Sequence, residues 1–93
     1  MTIGVLYLDV IIPDARSLKD KRRVVKSLKD RIRSRYNCAV AETDCLDLWR
    51  RARLTLCVVS NESRHANQQC NEIARFAADR LGPGLAHYQI EML

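Results

Sequence analysis

Ninety-three residues, 47% of them hydrophobic, are enough for one domain with its own core. The formal charge of +5 is unevenly placed: Arg16 to Arg35 holds ten of the sixteen Lys and Arg and two of the eleven acids, a local +8, while the other seventy-three residues sum to −3. A basic element on a mildly acidic body favours polyanionic partners. The first apolar run, Ile3 to Ile12, contains Asp9 and follows no basic region, so it reads as neither a signal peptide nor a membrane span.

The first strand, Thr2 to Ile12, sets Leu6, Leu8, Val10 and Ile12 on one face and Ile3, Val5, Tyr7 and Asp9 on the other. Apolar character on both sides predicts a central strand. Pro13 and Asp14 break it, and Ser17 with Asp20 predicts an N-cap and capping box for a helix from Leu18 to Tyr36. Leu18, Val25, Leu28, Ile32 and Tyr36 form its apolar seam, with Val24 at the margin. Lys19, Arg22, Lys26, Lys29 and Arg33 form a basic stripe beside that seam, and Asp20 and Asp30 project to other sides, where they face Arg23 and Arg33 at i+3 spacing.

Like charges at i,i+3 and i,i+4 cost about 0.2–0.5 kcal/mol per pair, so stability alone does not select this pattern. Lys19, Lys21, Arg22 and Arg23 also crowd the first turns, where the helix dipole disfavours cations. Phosphate suits the same place. The amides at the helix start, with Arg16 and Lys21, are expected to hold one phosphate while the stripe follows others along a helix about 28 Å long.

A second strand from Asn37 to Asp44 leads into a loop with Cys45, Asp47 and Trp49. The third begins near Arg51 and alternates Ala52, Leu54, Leu56 and Val58 with Arg53, Thr55, Cys57 and Val59. Ser60 and Asn61 are cap candidates for a second helix that runs to Leu81, its apolar face built from Ala66, Cys70, Ile73, Ala74, Ala77 and Leu81. Gly82-Pro83-Gly84 stops it, and a last strand, Leu85 to Met92, alternates Tyr88, Ile90 and Met92 with His87, Gln89 and Glu91. The order βαββαβ predicts one α+β domain over residues 1–93, a ferredoxin-like sandwich with an antiparallel four-stranded sheet of order 4-1-3-2 and both helices on one face. The bare face then presents Ile3, Val5, Tyr7 and Asp9 beside Arg53, Thr55, Cys57 and Val59, apolar at one end and a candidate homodimer contact.

Several functional classes find little support. Cysteines 38, 45, 57 and 70 include no Cys-x-x-Cys pair, which points to free thiols rather than zinc or disulfides, and neither a metal nor a cofactor is expected. Acylphosphatases share this size and fold but need a Gly-rich phosphate loop, where this chain has Ile12-Pro13-Asp14-Ala15-Arg16. His65 and His87 have no Ser, Cys or paired-carboxylate partner by spacing, so no catalytic residue is assigned. Base stacking on the sheet, as in an RNA-recognition motif, needs aromatics on both central strands, and only Tyr7 is available. Trp49 is expected to seal the edge of the core rather than to anchor a partner, with Arg50 and Arg51 extending the basic surface.

Ser17-Leu18-Lys19-Asp20-Lys21-Arg22-Arg23, Val40-Ala41-Glu42, Asp47-Leu48-Trp49, and Ser60-Asn61 followed by Arg64-His65-Ala66 together resemble the YlxP family of small bacterial proteins of unknown function. The resemblance implies a ferredoxin-like fold and a cytoplasmic protein. Genes of that family often lie beside those for transcription-elongation and translation-initiation factors and ribosome-binding factor A, which implies an RNA or ribosome association. Cys45 and Leu46 stand where the family more usually has a His-Gln pair.

The expected function is thus non-enzymatic binding of RNA, ribosomal RNA included, by phosphate contacts from Lys19, Lys21, Arg22, Arg23, Lys26, Lys29 and Arg33. Arg16, Arg50 and Arg51 are lesser candidates. The alternative is a homo-oligomeric interaction or regulatory module that uses the open sheet face.

Overall fold

The computed structural model describes all 93 residues. The elements are β1 (Thr2–Ile11), α1 (Leu18–Arg35), β2 (Ala39–Asp44), β3 (Arg51–Ser60), α2 (Ser63–Leu81), a 3-10 turn over Gly82–Gly84, and β4 (Leu85–Met92). The sheet order is β2-β3-β1-β4 with every pairing antiparallel, which is the expected 4-1-3-2 read from the other edge. This is a ferredoxin-like sandwich.

Period-2 alternation sets the register. Leu6 and Leu8 pair with Leu56 and Leu54, and Val10 pairs with Ala52, so the strongest apolar positions of both central strands turn to the helices together. With Val25, Leu28 and Ile32 of α1 and Ala66, Cys70, Ile73, Ala74 and Ala77 of α2 they form one buried core. The close fit of α2 onto β1 depends on Gly4, since a Cβ there would lie 2.9 Å from Cys70 Sγ and 3.4 Å from the Ala66 carbonyl.

Local signals explain the helix ends. Ser17 Oγ accepts from the Asp20 amide at 3.0 Å, and the Asp20 carboxylate accepts from the Arg16 amide at 3.0 Å, a capping box shifted one residue outward. The second helix starts later than Ser60 and Asn61 suggested: its N-cap is Glu62, and Ser60 Oγ instead accepts the Glu62 amide in the preceding turn. Gly82 closes α2 with φ 55°, a conformation open to glycine.

The other sheet face carries no helix. Ile3 pairs with Val59, Val5 with Cys57, Tyr7 with Thr55 and Asp9 with Arg53, as the alternation implied. Polar contacts hold one end of it: Arg53 lies 3.7 Å from Asp9 and stacks over the Tyr7 ring, and His87 approaches Asp9 at 3.7 Å. The other end is apolar, with Val59 65% exposed. No helix of the chain is long and apolar enough to cross a membrane.

Candidate nucleic-acid interface

The first helix packs against β2 with Val25, Leu28 and Ile32 inward, which turns its basic residues toward the outer side and toward that edge strand. Arg22, Lys26, Lys29 and Arg33 line a shallow groove between α1 and β2 together with Asp30 and Glu42. Lys19, Arg22, Arg23 and Lys29 make no hydrogen bond or ion pair, so their charge is unspent. Lys26 donates to Asp30 at 2.7 Å, and that hydrogen bond, with the surrounding cations, holds the Asp30 carboxyl below its ordinary pKa. Asp30 therefore answers Lys26 rather than Arg33, and Asp20 is taken up by the cap rather than by Arg23. Arg33 donates through Nη2 to the Val40 carbonyl at 3.0 Å, fixing the C-terminal end of the stripe to β2.

Lys21 corrects the sequence expectation. It is fully buried, its ammonium 2.5 Å from Glu42 Oε2 and donating to the carbonyls of Cys45 at 2.6 Å and Leu46 at 3.4 Å. A cation removed from water needs such compensation, and once compensated it has nothing left for a phosphate. Glu42 Oε2 is itself shielded from solvent and makes no directed hydrogen bond, so the charge contact with Lys21 is what balances it. The phosphate seat expected at the helix start loses Lys21, and the Arg16 and Asp20 amides there are taken by the Asp20 carboxylate and Ser17 Oγ.

Arg31, Arg35 and Arg80, outside the expected contact set, extend the surface on the opposite flank of α1. Arg23 and Arg31 line a second groove with Arg80 of α2, floored by Val24, Leu28 and Leu81. Arg35 and Arg80 each lie 5.2 Å from the Phe76 ring centroid, so one aromatic side chain clasps a guanidinium from each helix. Phe76 also meets Tyr36 edge to face at 5.8 Å. Arg80 is sixty-one residues from Lys19 at the stripe's start, and only the helix pairing brings it there.

The β2–β3 loop abuts the start of α1. Cys45 has a left-handed backbone, φ 63°, and its carbonyl accepts both Lys21 Nζ and, at 3.0 Å, the Leu48 amide. Its contribution is thus a backbone carbonyl. Arg50 accepts from the Ile12 amide at 2.9 Å and donates through Nε to the Ala15 carbonyl at 3.1 Å. Between these anchors Trp49 is 50% exposed and takes no part in the core, contrary to the expectation that it would seal an edge. Arg16, next to Ala15, and Arg51, next to Arg50, are exposed, and so is His65 on α2.

The fold places the chain among ferredoxin-like α+β sandwiches, here with Lys19, Arg22, Arg23 and Lys29 unpaired on the first helix. Residues 3–90 match the model of a protein family of unknown function, DUF503, and the chain belongs to that family. It is 30% identical over 74 residues, 80% of each chain, to the uncharacterized protein YlxP of Bacillus subtilis strain 168. Among solved structures it is similar to a de novo designed protein with a ferredoxin fold, at 15% identity and TM-score 0.47, covering all of this chain and 83% of that one. It is also similar to a dimeric ferredoxin-like protein of unknown function from Thermobifida fusca, at 14% identity and TM-score 0.47, covering 98% and 90%.

Proposed function

We propose that this protein is a non-enzymatic RNA-binding module that contacts the phosphates of structured RNA, ribosomal RNA included, through α1. The contacts are assigned to Lys19, Arg22, Arg23, Lys26, Lys29 and Arg33, with Lys21 withdrawn from the set because it is buried. The observation that carries the proposal is the run of Lys19, Arg22, Arg23 and Lys29 without a carboxylate partner on a helix whose inner face is fully used by the core. Cations left unpaired beside one another are retained at a cost to the free protein, and a polyanion relieves it. Such a protein works in the cytoplasm, where its RNA resides.

The test is retention of the protein on RNA and on ribosomal subunits after Lys19, Arg22, Lys26, Lys29 and Arg33 are changed to Gln. Loss of retention with an unchanged circular dichroism spectrum supports the assignment. Retention equal to that of the parent protein rejects it.

A second use is carried by a different surface. The open sheet face, with Val59 exposed beside Ile3, suits self-association into a homodimer. Sedimentation over a range of protein concentrations tests it, and a monomer at all of them removes it.

A further inference from the structure

We infer that Trp49 is a stacking platform for an unpaired base of the RNA whose phosphates α1 contacts, an assignment that rests on the function proposed above. A half-exposed indole with exposed Leu46 and Leu48 beside it is a large apolar surface that the fold itself leaves uncovered. The loop nevertheless has a defined frame. Lys21 bonds Cys45 and Leu46 on one side, and Arg50 is bonded to Ile12 and Ala15 on the other, so the indole is held between two fixed points next to the chain that enters α1. A rigidly presented aromatic loses little freedom when a ring lies against it.

Its neighbours select the ligand. Arg50 and Arg51 share one shallow depression with Leu48 and Trp49, and Arg16 lies one residue past the carbonyl that Arg50 bonds. Trp and Arg are frequent at protein contacts as well, and sedimentation separates that occupant. An aromatic face flanked by guanidinium groups matches single-stranded RNA sites, where bases stack on rings while cations follow the backbone. The favoured ligand is accordingly a loop, bulge or single strand, since bases within a duplex offer no free face.

Trp49 is the chain's one tryptophan, so its emission reports on this site alone. The wild-type protein is titrated with a mixed-sequence single-stranded RNA twelve nucleotides long, with a blunt duplex, and with an abasic strand of equal length, while filter retention measures binding in parallel. Saturable quenching by the single strand and none by the abasic strand is expected. Trp49→Ala should weaken single-strand binding about tenfold, with Trp49→Phe retaining most of the affinity and neither changing the salt dependence. Retention of RNA by the wild type with unaltered emission and no effect of Trp49→Ala overturns the inference and leaves the helix assignment standing. A Trp49→Ala variant that loses self-association in sedimentation while binding RNA normally also overturns it, in favour of a protein contact. Failure of the wild type to retain any RNA overturns the proposed function first, and this inference with it.

Discussion

The Lys21 ammonium and the Glu42 carboxylate meet at 2.5 Å beneath the first helix, joining α1 to the edge strand β2 across a gap of twenty-one positions. Breaking a buried ion pair from one side strands the other charge, at a cost of about 3–5 kcal/mol. Lys21→Met is therefore expected to lower stability by about 3 kcal/mol, the low end because Glu42 keeps some access to water. Adding Glu42→Met should restore part of that loss, a coupling that urea denaturation of the two single variants and the double variant would reveal.

The salt dependence of RNA binding should count the contacts. Lys29→Gln is expected to reduce the slope of log affinity against log salt by about 0.7–1, as each phosphate contact contributes. Arg64→Gln is the control, because Arg64 lies beside Tyr88 of β4, the edge strand opposite β2. Equal slopes for the Lys29 variant and the parent would remove Lys29 from the interface.

Gly4 and Cys70 should behave as a coupled pair. Gly4→Ala places a methyl group 2.9 Å from Cys70 Sγ, and overpacking of this kind costs about 1–3 kcal/mol. In a Cys70→Ala background the sulfur is gone and the same substitution should cost less. Additive losses in thermal or urea unfolding would show that the Ala66 carbonyl, not the thiol, sets the limit.

Alkaline pH should weaken the fold through two thiols. Burial pushes the Cys70 and Cys38 thiols above their ordinary value of 9.0, with neighbouring cysteines adding to the rise and Arg33 opposing it at Cys38. The unfolded chain then ionises first. Stability from this source is fully present below pH 9 and is lost as pH rises toward the raised native values. Replacing both cysteines by Ala should flatten the decline in unfolding midpoint as pH rises above 9.0. An unaltered decline would assign it to other groups.

Much of the fold is legible in the sequence because strands report their own faces. Leu6, Leu8 and Val10 against Ala52, Leu54 and Leu56 left one plausible register, and β4 ends where its alternation ends. Lys21 is the exception. Positions 18, 21, 25, 28 and 32 recur at helical spacing, so Lys21 sits on the apolar seam although its charge suits the surface. What compensates it, Glu42 and two loop carbonyls, lies twenty or more residues away and has no local signature. Trp49 is a second, for a related reason: indoles are usually covered, and only the anchors at Cys45 and Arg50 show that this one is held out. Arg80 has no local signal because it belongs to a surface assembled from two helices.

Both helices sit on one side of the sheet, and the opposite side is bare. Two copies joined back to back through that bare side would turn their cationic ridges outward, away from each other. Such a particle would not grip a single strand more strongly. It would instead bridge two separate segments, drawing distant parts of one folded polyanion together, with a reach set by the thickness of two sheets and two helical layers.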